Sequence, residues 1–231
     1  MKRHLAIWAL GAVTTLAQTP RPKQSNTVGP SMLVMPKAAV PLSAEIVEER
    51  TTKLPDGTSK TETLTGKVYR DADSRMRIET RVQGPNDEST PAVQIIDAAD
   101  GFMAILIPQE KMAVRIQMPK QDPSKLGVAR LGNPLIRVPG KKSFKSEELG
   151  KQTIDGIEYE GRRTTTTSEE QPELVGVEEE WTNRELGLIG LMKSSGPDGQ
   201  STTKLQKVDR SAPDPALFKI PADYSIRDEP Q

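Results

Sequence analysis

Glu178, Glu179 and Glu180 stand side by side just before Trp181, a dense run of groups able to donate or accept a proton. Neighbouring residues of a strand point to opposite faces, so three consecutive carboxylates cannot serve one substrate together. A catalytic pair would need a second carboxylate from elsewhere in the chain. Arg162 and Arg163, followed by Thr164 to Thr167, could hold a phosphate, but threonine-rich runs are ordinarily exposed strand formers. The other common reagents are scarce. The chain has no cysteine, and its one histidine is His4, inside a segment that reads as a removable export signal. Without imidazole or thiol, Ser-His-Asp and Cys-His sites cannot be built, and zinc, copper and haem lose their customary ligands. No phosphate-cradling glycine motif, nucleophile elbow or metal-ligand spacing occurs. The sequence therefore predicts a non-enzymatic protein that needs neither cofactor nor metal.

Adaptable apolar surface is what the chain offers instead. Met76, Met103, Met112, Met118 and Met192 fall in strand-like segments of a chain that is only 3% aromatic. Flexible thioethers can conform to varied acyl chains, although core filling is the ordinary use of each methionine taken singly. The candidate ligand-binding residues are Met103, Ile105, Met112, Val114, Ile116 and Met118, with Leu188 and Leu191 from the opposite side.

The elements that must position these side chains are strands. Met112, Val114, Ile116 and Met118 alternate with Ala113, Arg115 and Gln117; Met76, Ile78, Thr80 and Val82 alternate with charged neighbours; Leu64, Gly66 and Val68 do the same. A period of two marks half-buried strands. The run from Phe102 to Ile107 is apolar on both faces, which predicts a strand covered from two sides at the centre of the core. Turn residues at 55–57, 71–74, 99–101, 108–111 and 196–199 separate these runs by a few residues, as antiparallel hairpins require. Later strands are expected over 157–167, 175–181, 186–194 and 201–208, for about nine or ten in all. A sheet that wide must curl or close. The predicted fold is mainly β: a single curled antiparallel sheet, a half-barrel or open barrel, with little helix. From Pro119 to Lys151 the rhythm breaks, with Pro123, Pro134 and Pro139 and a weak helical pattern over 124–131, which reads as a long loop. Arg130, Arg137, Lys141, Lys142 and Lys145 give it local positive charge that could meet an acidic head group or partner, a solvated loop being the commoner use of such charge.

The organisation around that sheet follows from composition. Lys2, Arg3 and His4 precede a mostly apolar stretch from Leu5 to Ala17, the order of a secretory signal, with cleavage expected after Ala17. A membrane span would need roughly 20 apolar residues, and Gln18, Thr19 and Pro20 interrupt this one. Residues 18–40 carry four prolines among polar residues and read as a flexible linker, broken by the apolar segment from Met32 to Met35. The β domain is expected over 41–228. Taking Lys2 and Arg3 from 32 basic residues leaves 30 against 32 acidic, a net charge of −2. Nucleic acid and anionic membrane surfaces are therefore poor partners, and the mature protein is expected to be periplasmic or extracellular, with no integral span. Its 214 residues, 17 fewer than 231, suffice to bury about 70% of the unfolded surface in one core without disulfides.

Three segments together carry a resemblance. They are the run from Leu149 to Gly161 (LGKQTIDGIEYEG), then Glu180-Trp181 with Glu185 to Leu188, and finally the run from Pro213 to Tyr224 (PDPALFKIPADY). The layout over residues 60 to 226 resembles a group of exported bacterial proteins similar to the lipoprotein-carrier superfamily, which includes LolA and LolB and related periplasmic sensors. The terminal Pro-x-x-Leu-Phe-x-Ile-Pro-x-x-Tyr run is its specific part, a marker of fold. The resemblance implies a curled antiparallel sheet around an apolar cavity that takes acyl chains. Those carriers line the cavity with helices, whereas this chain offers at most a short helix near 124–131 and a turn near 214–218. Two readings follow: a carrier or sensor of a lipid or lipoprotein acyl chain, and an envelope protein-interaction or scaffold module with a filled core, recognising its partner through a sheet edge or the 119–151 loop.

Overall fold

The computed structural model describes residues 40–83, 89–120 and 138–229. The export signal, the 18–40 linker up to Ala39, and the 124–131 helical pattern lie outside the described residues. Twelve strands form one sheet: β1 (Leu42–Lys53), β2 (Ser59–Arg70), β3 (Met76–Gln83), β4 (Ser89–Asp97), β5 (Phe102–Ile107), β6 (Met112–Gln117), β7 (Lys142–Ile154), β8 (Ile157–Ser168), β9 (Val175–Asn183), β10 (Leu188–Gly196), β11 (Gly199–Asp209) and β12 (Ser225–Glu229). Their order across the sheet is β12-β6-β5-β4-β3-β2-β1-β11-β10-β9-β8-β7. The two end strands do not pair with each other, so the sheet is open and curled and does not close into a barrel. The described residues contain no α-helix, only single turns of 3-10 helix at Pro108–Glu110 and Pro215–Phe218.

Each predicted turn links the strands it was expected to link, and a further hairpin joins β7 to β8 at Asp155 and Gly156, whose φ angles of 49° and 80° suit a two-residue loop. All pairings are antiparallel except that of β12, which runs parallel to β6. Three expectations are corrected. Twelve strands replace nine or ten. The segment from 142 to 151, expected as loop, belongs to β7, a 13-residue strand with 11 exposed positions; exposure on both faces removes the alternation that reveals a strand in sequence. And β5 is not at the centre of the core.

Two apolar clusters explain that last correction. The larger gathers Leu42, Ala44, Ile46, Val68, Met76 and Ile78 with Ile154, Tyr159, Trp181, Leu186, Leu188, Ile189, Met192 and Leu205, so it rests on β1–β3, the end of β7 and β8–β11. The ring of Tyr159 lies so close over Gly190 that a Cβ there would stand 2.3 Å from it. Arg70, fully buried on β2, ties the cluster together: its Nε donates to Val40 O at 2.8 Å, Nη2 to Leu186 O at 2.6 Å and Nη1 to Gly187 O at 3.3 Å. The smaller cluster is on the opposite face of β4–β6, where Val93, Ile95, Ala104, Leu106 and Ala113 meet Phe102, Ile220 and Tyr224. There the C-terminal segment acts as a cover. Phe218 is buried with the Arg75 guanidinium 5.6 Å from its ring centroid, and Arg77 donates to Leu217 O at 3.1 Å. Beyond it, Ser225 N donates to Lys111 O at 2.8 Å, Lys111 pairs with Asp223 at 2.9 Å, and Arg115 grips both Asp228 oxygens at 2.7 and 3.1 Å.

Candidate functional site

Registered partners in a sheet share a face, so rows of side chains can be followed across it. One row runs Ala44, Val68, Ile78, Gln94, Ile105, Val114; the next runs Leu42, Arg70, Met76, Ile96, Met103, Ile116; and Ile107 faces Met112 at the end. On β1–β3 these rows sink into the main core. On β4–β6 Ile96 still packs against that core, whereas Met103, Ile105, Ile107, Met112, Val114 and Ile116 lie outside it, partly exposed. The alternate residues of the same strands, Val93, Ile95, Ala104, Leu106 and Ala113, are buried under the C-terminal segment. Strands β4–β6 are therefore apolar on both faces, one face covered and the other partly open.

Five of the eight residues singled out in the sequence, Met103, Ile105, Met112, Val114 and Ile116, come together on this face. Met118 follows β6, partly exposed, its amide donating to Gly101 O at 2.8 Å. Leu188 and Leu191 are placed differently. Both lie on β10, separated from β4 by β3, β2, β1 and β11; Leu188 is wholly buried in the main core, and Leu191 packs at its margin. Ile96 and Ile107 join the face without having been singled out, although Ile107 stands two residues beyond Ile105, the same period-two signal.

A groove of about 460 Å³ opens elsewhere, lined by Glu45, Ile46, Val47, Thr65, Gly66, Lys67, Glu79, Thr80, Arg81, Pro91 and Gln206. None of the eight residues borders it. Glu45 is engaged by Lys207 at 3.0 Å and Glu79 by Arg77 at 2.6 Å.

The groups considered for chemistry are arranged for structure. Glu179 accepts from Arg163 Nη2 at 2.6 Å, and the same guanidinium reaches Glu147 on β7 at 2.6 Å, so this arginine stitches β7, β8 and β9 together. The carboxylates press it further toward its charged form. Glu178 and Glu180 register with Thr164 and Arg162 on the other face. Glu48, buried on β1, accepts from Arg50 Nε at 2.9 Å. Among the described residues, no group of three or more His, Cys, Asp or Glu side chains is placed to hold a metal, and no helix is long and apolar enough to cross a membrane.

No family model matches the chain, and no curated protein matches it in sequence. Solved structures do match in shape. The Pseudomonas aeruginosa MucA/MucB complex aligns with 81% of this chain at 14% identity and a TM-score of 0.42, and this chain spans 58% of the chain it matches there. A LolA superfamily protein from Nitrosomonas europaea aligns with 78% of this chain and 90% of its own, at 7% identity and a TM-score of 0.37. The Mycobacterium tuberculosis lipoprotein LppX aligns with 74% and 88%, at 12% identity and a TM-score of 0.37. At these identities and TM-scores the likeness is one of general shape alone.

Proposed function

We propose that this is a non-enzymatic, exported binding protein that holds the acyl chain of a lipid or lipoprotein against the partly open face of β4–β6. The observation that carries the reading is the grouping of Met103, Ile105, Ile107, Met112, Val114 and Ile116 on one face of adjacent strands, all partly exposed, while the reverse face already has its own cover. Contiguous exposed apolar surface on a soluble domain marks a place where something binds. The chemistry of this one selects hydrocarbon. Its lining is aliphatic and thioether, with the Gln94 amide within the row and Arg227 opposite Val114 at its β12 end, so the middle of the face suits a ligand segment that asks for no hydrogen bonds. Export rests on the pattern of residues 2–17.

The test is titration with a fluorescent fatty-acid analogue. The wild-type chain should bind it saturably near one to one, and Ile105→Lys should weaken binding at least tenfold while Thr202→Lys, at an exposed position on β11, leaves it unchanged. Absence of saturable binding, or equal effects of the two variants, would overturn the reading.

A further inference from the structure

The far edge of the sheet carries a separate pattern. β7 is the last strand in the order; β8 pairs with one of its edges, and among the described residues no strand pairs with the other. Residues 142–148 are exposed, Phe144 by 68%. A long open edge is a template for another strand, and proteins usually blunt it with lysines or a bulge. A bulge is present between Glu148 and Gly150, which leaves the first half of the strand regular. Lysines are present too, but they come in a particular order. Lys142 and Lys145 lead, Glu147 and Glu148 follow, and the lysines have no ion pair among the described residues, while the glutamates engage Arg163 at 2.6 Å and Arg162 at 3.4 Å. A strand that is basic in its first half and acidic in its second complements itself when laid antiparallel to its own copy.

We propose that β7 pairs with β7 of a second copy of this chain, antiparallel, with the two-fold axis at Ser146. In that register Lys145 stands opposite the second copy's Glu147 and the second copy's Lys145 opposite Glu147, two ion pairs related by the axis. Lys142 lies diagonal to the second copy's Glu148, within reach of a long side chain. The axis cannot move one residue either way without opposing like charges: centred on 145 it sets lysine against lysine, and centred on 147 glutamate against glutamate. The regular ladder spans residues 144 to 148 and stops at the bulge. It covers part of Phe144 and joins two open sheets into one, at the edge opposite to β4–β6, so both acyl-binding faces stay accessible.

Sedimentation velocity of the purified chain over a wide concentration range tests this, with thermal melts of each variant as the folding control. The expected result is a concentration-dependent dimer, weakened at least tenfold by Lys145→Glu and by Glu147→Lys alone, and restored to within about threefold by the double exchange. Glu179 keeps Arg163 engaged in each variant, so β8 and β9 stay joined. A chain that stays monomeric throughout, a dimer indifferent to the single variants, or a double exchange that fails to restore association would each overturn the proposal.

Discussion

Replacing Arg70 by methionine is the sharpest test of how the two halves of the sheet are joined. The side chain is wholly buried, and its three nitrogens donate to Val40 O, Gly187 O and Leu186 O, linking the approach to β1 with the turn between β9 and β10. Bonds from a charged donor are worth about 1.5–3 kcal/mol each, so the three contribute roughly 4–9 kcal/mol. Burial opposes this. It pushes the guanidinium down from its ordinary value to about 10, which at about 1.4 kcal/mol per tenfold costs the charged form about 3 kcal/mol. Methionine keeps most of the volume and escapes that cost but leaves three carbonyls without their donor, for a net loss of roughly 1–6 kcal/mol. At about 2–4 °C per kcal/mol for a domain of this size, the melting temperature should fall by about 2–24 °C. Arg70→Lys should fall between, because one ammonium cannot span carbonyls on two separate segments. The sign of the pH dependence is also fixed. A cation whose folded value is depressed carries its penalty at every pH below that value and sheds it only as pH rises beyond about 10, so the gap between wild type and Arg70→Met should be constant from pH 5 to 9. Calorimetry reads both quantities, and a methionine variant as stable as wild type would refute the reasoning.

Other expectations follow from the same geometry. Leu106→Ala, which opens a void beneath the C-terminal cover, should cost about 2–5 kcal/mol in a thermal melt while leaving affinity for the acyl probe within about twofold; one position earlier, Ile105→Lys should do the reverse. Gly190→Ala forces a methyl into the ring and hydroxyl of Tyr159 and should cost at least about 1–3 kcal/mol, read from denaturant midpoints. Partners Lys111 and Arg115 hold Asp223 and Asp228 below the ordinary carboxylate value of 3.8. Their contribution is therefore present above 3.8 and lost as pH falls below it, and amide shifts of β12 should move toward released values there before those of β1 and β11.

What could be read from the sequence followed burial. β3, β6 and the later strands alternate because one face is dry and the other wet, and residues Met112, Val114 and Ile116 announced a shared face through that alternation alone. β7 was hidden because neither of its faces is covered: Phe144 and Lys142 are both exposed, so nothing selects apolar residues at every second position. β12 was hidden for a related reason, four of its five residues being exposed. The run from Phe102 to Ile107 was correctly apolar on both faces, yet its position in the sheet depends on which strands flank it, a matter of long-range pairing that composition does not record. Leu188 shows the same limit. Its apolar character fits a lining residue or a core residue equally well, and only its full burial among strands that the curl of the sheet brings over it separates the two.

Native mass spectrometry of the chain purified from its native host, before and after organic extraction, tests the central claim most directly. The account predicts one near-stoichiometric lipid or acylated adduct that extraction removes and that Ile105→Lys never acquires. A protein-only mass in the wild type, unchanged by extraction, would contradict it.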